Sequence, residues 1–193
     1  MVDIVQGNKY QEINNYGITL RRLGQDDLEL VRNWRNDPKI VRYMNFKEYI
    51  TPEMQKLWFS GVDNINNFYY IIIKDGLKIG LVNLKEIDYE NKVMEAGIFI
   101  YDDEYLNTLT PFQVALTQYD FGFITLGLEV CICHILGSNS NAIKFNQFLG
   151  YNLSKGEEGK EYQLYILKKN NYLGRRIQIQ EIFEKLLKED RLE

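Results

Sequence analysis

Residues 17–23, G-I-T-L-R-R-L, alternate between apolar and polar positions with the period of a half-buried strand. Asp26 and Glu29 then stand at capping-box spacing, and Leu28, Val31 and Trp34 recur at helical spacing. The pattern predicts a helix that stops before Pro38. A bent segment over 40–46 leads to Thr51-Pro52, the cap and first turn of a second helix with Leu57 and Trp58 on its apolar side. Residues 68–74, 78–87 and 93–101 read as an antiparallel meander, broken by Asp75-Gly76 and by the turn residues 88–91. A longer helix is expected over 111–126, a strand over 130–135, a helix from Asn139 to Leu149, a short strand opening at Tyr151, and a last strand over 161–168. In the tail, Ile179, Ile182, Phe183, Leu186 and Leu187 fall at i, i+3, i+4, i+7 and i+8, the stripe of an amphipathic helix. That stripe packs on its own domain or forms a homodimer contact.

The count is seven strands and about four helices, with the tail helix added: an α+β chain. Its 193 residues suit one domain, which buries ~70% of the surface its unfolded form exposes. The expected division is a leader over 1–16, a catalytic-sized domain over 17–170 and a helical extension over 171–193. Hydrophobic residues make up 45% and prolines number only 3, a globular rather than disordered composition. With 23 basic against 27 acidic residues, no broad positive face for nucleic acid is expected. The first 15 residues lack a secretory pattern and no apolar run is long enough to span a membrane, so the expected location is cytoplasmic. Cys131 and Cys133 lie two apart on one strand, where they share a face and do not easily bridge; reduced, packed thiols are expected. No second cluster joins C-I-C-H at 131–134 to make a metal site.

The most specific stretch is 130–151. A β-branched strand runs into G-S-N, and N-x-x-A-x-x-F-x-x-x-x-G-Y then spans Asn139, Ala142, Phe145, Gly150 and Tyr151. This resembles the last core motif of the GNAT N-acetyltransferases, and the order of elements upstream resembles that fold from about residue 17 to 168. W-R-N-D-P at 34–38, R-Y-M at 42–44 and E-A-G-I-F-I at 95–100 look most like two branches of the family. One acetylates ribosomal-protein termini and the other acetylates nucleotide-linked aminosugars.

The resemblance implies a GNAT-like single domain: a mixed, mostly antiparallel sheet with helices on both faces and acetyl-coenzyme A as co-substrate. The pantetheine arm would lie between the strands over 93–101 and 130–136, on the backbone of Ile98, Phe99 and Ile100, with Asn139 reaching its amide end. Phe99 and Ile100 would also offer N–H groups to the oxyanion of the reaction. The diphosphate would meet the next helix start, where the family's glycine loop is replaced by Asn107, Thr108, Leu109, Thr110, Pro111 and Phe112. Leu109 and Pro111 stand at the two glycine positions, which predicts weak coenzyme A binding. Asn146 takes the place of the tyrosine that protonates the departing thiolate, and an amide cannot do this near neutral pH. Ser138, Tyr151 or water are the substitutes.

An amine must lose its proton before attacking a thioester, so a base belongs beside the reacting atoms. Glu95 and His134, the only histidine, lie on the two facing strands and are the candidates. A satisfied buried acid and a hydrogen-bonded core histidine account for the same two residues equally well. Trp34, Arg35, Met44 and Phe46 would line the acceptor side, with Arg35 the better candidate for an anionic acceptor and Trp34 better suited to the core. The expected function is transfer of acetyl from acetyl-coenzyme A to a small-molecule amine or a protein N-terminus. The alternatives are a non-catalytic binding module on the same fold and an acyltransferase fed by a carrier protein.

Overall fold

Among the described residues eight strands form one sheet in the order β1-β2-β3-β4-β5-β6-β8-β7. They are β1 (Glu12–Asn15), β2 (Ile18–Arg22), β3 (Phe68–Lys74), β4 (Leu77–Asp88), β5 (Val93–Ile100), β6 (Val130–Leu136), β7 (Asn152–Leu153) and β8 (Tyr162–Lys168). The computed structural model describes the backbone of residues 10–189 and the side chains of residues 10–186. Residues 1–9 of the expected leader, residues 190–193 and the Leu187 side chain lie outside the described residues.

The strand beyond the expected seven is β1, which joins β2 through Tyr16 and Gly17, both at positive φ (51° and 71°). That is the backbone of a tight primed hairpin turn, but a tyrosine at its first corner hides the usual signature. Every pairing except β5 with β6 is antiparallel.

Among the described residues six α-helices cover the two faces, and strand alternation sorts the core between them. On one face α1 (Leu28–Asn36) and α3 (Pro52–Val62) bring Val31, Trp34, Trp58 and Phe59 against Ile71 and Leu81; the one-turn α2 (Pro38–Val41) follows α1. On the other face α4 (Thr110–Tyr119), α5 (Ser140–Phe148) and α6 (Lys169–Glu189) cover the larger core around Ile72, Val82, Met94 and Cys131. The capping acid before α1 is Asp27, whose Oδ2 accepts the Gly24 N–H at 3.1 Å, rather than Asp26. Glu29 instead pairs with Arg32 at 2.8 Å. Asp27 is buried, which raises its pKa, but Arg21 and Lys78, each 2.8 Å away, outweigh burial and hold it down to about 2. Those contacts tie the start of α1 to β2 and β4.

The expected helix over 111–126 ends its α-helical part at Tyr119 and continues as a π-helical turn over Asp120–Thr125. Asp120 sits there with little access to solvent and accepts from Tyr16 Oη (2.8 Å), Tyr172 Oη (2.6 Å), Arg176 Nε (2.8 Å) and Arg176 Nη2 (2.9 Å). One carboxylate thus joins α4, the β1–β2 turn and α6. The tail helix is docked on its own domain: Ile179 and Phe183 are buried, while Ile182 and Leu186 face outward.

Asp120→Ala strands the Arg176 guanidinium and two phenols, so unfolding stability should fall by about 3–5 kcal/mol. Chemical denaturation of the variant measures that loss.

Candidate active site

β5 pairs with β4 from Val93↔Asp88 to Ile100↔Gly80, with one irregularity between Lys85 and Asp88, and β6 with β8 from Val130↔Lys168 to Leu136↔Tyr162. Between β5 and β6 only Val93↔Val130, Met94↔Cys131 and Glu95↔Ile132 are in register. Beyond them residues 96–100 and 133–136 part into a wedge. Gly80 helps hold β5 on the β4 side, since a Cβ there would stand 2.3 Å from the Phe99 carbonyl oxygen.

Tyr101 N–H donates to the Ile79 carbonyl, and antiparallel pairs alternate between bonding across and pointing away. Counting back along the register, Phe99 bonds to Leu81, whereas Ile98 and Ile100 turn their N–H and C=O groups into the wedge. Of the three β5 positions read from sequence, Ile98 and Ile100 therefore have the free backbone. Phe99 contributes its ring, which lies edge-on to Trp34 at 6.2 Å.

On the α1/α3 face the wedge is flanked by Glu95 and His134. His134 Nδ1 lies 3.4 Å from Glu95 Oε1, and Lys85 Nζ lies 3.1 Å from the same oxygen. Glu95 keeps 14% of its side chain exposed and His134 48%, so the carboxylate is sheltered while the imidazole opens to solvent. Burial works against the charge of Lys85, but Glu95 and Glu86 outweigh it and raise its pKa. Gly97, two residues beyond Glu95, leaves room for the Asn83 carboxamide, whose Oδ1 would be 2.6 Å from a Cβ at that position. From the opposite face Gln118 Nε2 donates to the carbonyls of Asn83 (2.8 Å) and Gly97 (3.2 Å), fixing α4 to this floor.

Four residues read as acceptor-lining are spread over this side. Trp34 is buried and stacked on Tyr101 at 5.5 Å, so it is core. Arg35 lies over Trp58, 5.2 Å from the ring centroid. The Met44 carbonyl accepts from Tyr162 Oη at 2.9 Å, which straps the segment after α2 to β8, and Phe46 stands exposed.

The donor side shows how the missing glycines are handled. Thr108 Oγ1 accepts the Thr110 N–H at 3.1 Å, Pro111 has no N–H, and the N–H groups of Phe112 and Gln113 both reach the Leu109 carbonyl at 3.0 Å. The start of α4 thus satisfies its own donors, leaving little for a diphosphate. Leu109 is packed against the core, Asn107 is exposed, and the Phe112 ring lies 5.0 Å from Phe145 and 5.3 Å from Phe148, bridging α4 to α5. Asn139 Oδ1 caps α5 through Ala142 N–H at 3.1 Å, which leaves its Nδ2 for another partner. Asn146 is buried, donates to the Ala142 carbonyl at 2.8 Å and faces Cys133 Sγ at 4.0 Å. Tyr151, weighed as a thiolate acid, is buried beneath the paired end of the wedge with its hydroxyl 3.0 Å from Cys131 Sγ; burial pushes its pKa well above the ordinary value.

A family model described as an acetyltransferase (GNAT) domain matches residues 18–152, from β2 to β7. The chain belongs to the GNAT acetyltransferase family. Spermidine N(1)-acetyltransferase of Escherichia coli is 27% identical over 148 residues, 76% of this chain and 78% of that protein. Among solved structures, spermidine N-acetyltransferase from Vibrio cholerae in complex with CoA and spermine aligns at TM-score 0.70 and 21% identity, covering 82% of this chain and 99% of that one. Apo FdhC, a nucleotide-linked sugar GNAT, aligns at TM-score 0.72 and 23% identity, covering 86% and 95%. The structural likeness establishes the GNAT fold, and family membership makes the chain an acyl-coenzyme A-dependent N-acetyltransferase. Among the described residues no cluster of three or more metal-ligating side chains exists and no helix is long and apolar enough to cross a membrane.

Asn83, Lys85, Gly97 and Tyr162 carry no sequence signal of their own, except that a glycine inside a strand marks a close approach. The wedge accommodates a thin hydrogen-bonding arm; the α4 start accommodates a diphosphate poorly. Leu109→Gly with Pro111→Ala returns one N–H and some room, so acetyl-coenzyme A should bind up to roughly tenfold tighter, the worth of one good hydrogen bond. Calorimetric titration of both proteins checks this.

Proposed function

We propose that the chain acetylates a primary amine of a small molecule by direct transfer, with Glu95 taking the proton of the attacking amine. The observation that carries this reading is the coincidence of the wedge, its two outward-facing N–H groups and the Glu95–His134 pair at one mouth. Acetyl-coenzyme A, when bound, supplies the acyl carbon as a thioester. Ile98 and Ile100 would hold the donor arm and the charge that grows on the carbonyl oxygen. Glu95, steadied by Lys85, accepts the amine proton directly or through the exposed His134. The new bond is nitrogen to carbon, the broken bond is carbon to sulfur, and the electron pair leaves on sulfur. Asn146 offers that sulfur no acidic proton, so water at the open mouth supplies it. The relatives named for spermidine and nucleotide-linked sugar substrates support a small-molecule acceptor.

The self-satisfied start of α4 supports a second reading, in which the thioester arrives on a carrier protein whose phosphopantetheine has no diphosphate to place. Thiol release measured with acetyl-coenzyme A and with an acetylated carrier, each with an amine panel, separates the two. Release from neither donor contradicts both.

Glu95→Gln keeps the shape and loses the base. Its kcat should fall about 10²- to 10⁴-fold while acetyl-coenzyme A binding is unchanged. An undiminished kcat removes Glu95 from the role of base.

A further inference from the structure

The end of the sheet remote from the wedge holds a cavity of about 180 Å³. It lies between the end of β2, the loop joining α3 to β3, Tyr89 beyond β4 and the end of the π-helical turn. Asn64 and Thr125, both exposed, stand at its rim, so it opens to solvent. β4 runs from Gly80 beside the wedge to Asp88 next to the cavity, a distance of roughly 26 Å at strand spacing. Nothing bound here can touch the reacting atoms.

Arg22 forms one wall. Its Nη2 donates to the carbonyls of Asn64 (3.1 Å) and Asn67 (2.7 Å), and its guanidinium lies 4.7 Å from the Phe68 ring centroid and 5.8 Å from that of Tyr70. Asn64 and Phe68 line the cavity together with Arg22, so both the bonded edge and the stacked face of the guanidinium are fixed at the cavity wall. Nη1 is buried and has no hydrogen-bond partner among the described residues. Asp63 approaches at 3.6 Å, but on Nη2, and its carboxylate is 56% exposed. Arg32 shows the ordinary solution for a sheltered guanidinium: its Nη1 reaches both Tyr49 Oη and the Ile50 carbonyl. An unmet donor on a charged group is costly in a folded chain, and a ligand that supplies an acceptor removes the cost. The remaining walls are mostly apolar. Tyr10 and Phe68 meet edge-on at 6.1 Å, and Tyr89 Oη donates to the Ile65 carbonyl at 2.7 Å, which carries its ring across from β4 to the loop.

We propose that this cavity is a second binding site, separate from the acetyl-transfer site, for a small aromatic carboxylate. Its carboxylate accepts from Arg22 Nη1, and its ring fills the space between Tyr10, Phe68 and Tyr89. A cavity of about 150 Å³ with apolar walls accepts one benzene molecule, so the present volume suits one ring carrying one carboxyl group. A bare inorganic anion would meet Nη1 but leave the aromatic walls unfilled, and a cation is opposed by Arg22. The site stands whether or not Glu95 is the base of the transfer reaction.

The test is titration of the isotope-labelled full chain with benzoate, acetate, benzyl alcohol and inorganic phosphate, read at the Arg22 Nε–H resonance by NMR and by calorimetry. Benzoate should shift that resonance and bind roughly tenfold tighter than acetate, which lacks the ring, and than benzyl alcohol, which lacks the charge. Arg22→Gln should abolish binding and Arg22→Lys should keep part of it. Ile65→Trp fills the cavity and leaves the Arg22 hydrogen bonds in place, so it should abolish binding too, and it carries the test alone if Arg22→Gln does not fold. Melting curves establish which variants are folded. Saturating acetyl-coenzyme A should leave the benzoate affinity unchanged. The proposal is overturned by an Arg22 resonance indifferent to benzoate, by full binding in folded Ile65→Trp, or by displacement of benzoate by acetyl-coenzyme A, which would put it in the wedge. Phosphate binding as tightly as benzoate overturns it as well, since the cavity would then be a bare anion site.

Discussion

Two neighbouring strands of this sheet, β5 and β6, pair over only three residues and part beyond them, while each stays paired along its other edge. β4 keeps β5 and β8 keeps β6, so the opening is confined to one seam. The parted edges expose backbone donors and acceptors, groups a folded protein almost always satisfies. The chain therefore presents a standing demand for an extended ligand with its own amides, and the chemistry has to occur at that seam.

What surrounds the seam divides the labour between two faces. Behind it, α4 is fixed by Gln118 to the carbonyls of Asn83 and Gly97 and by Asp120 to Tyr16, Tyr172 and Arg176. That side packs a large apolar core crossed by buried hydrogen bonds. In front, Glu95, Lys85 and His134 share one carboxylate oxygen as their meeting point, and α1 and α3 cover the floor with aromatic rings. A base on the sheltered side of a half-open imidazole is the arrangement that amine activation asks of a protein. The weak point is the start of α4, where Thr108 and the Leu109 carbonyl have taken donors that a diphosphate would use.

Most of the architecture was legible in the periodicity. The meander over 68–101, the capped helix after Thr51 and the strand-helix pair ending at Gly150 follow from alternation and cap chemistry acting locally. What stayed hidden depends on distant residues. β1 ends at a tyrosine-glycine turn with no standard signature, and the π-helical turn after Tyr119 carries Asp120, whose three partners lie far away in sequence. Glu95 and His134 were visible as residue types, but their 3.4 Å approach needs the three-residue register of β5 with β6. That Ile98 and Ile100, and not Phe99, face the wedge is set by the phase of pairing with β4, which composition does not encode. Arg22 looks like an ordinary strand-end residue in the chain, and its unpaired Nη1 becomes informative only once buried.

Residue-resolved amide hydrogen exchange across the seam measures the central claim directly. In the free protein, Ile98 and Ile100 should exchange rapidly while Met94 and Phe99 are protected. Acetyl-coenzyme A should slow Ile98 and Ile100 and leave the others as they were. Ile98 and Ile100 already as protected as Phe99 in the free protein, or indifferent to the ligand, would mean that no open seam exists and that the donor binds elsewhere.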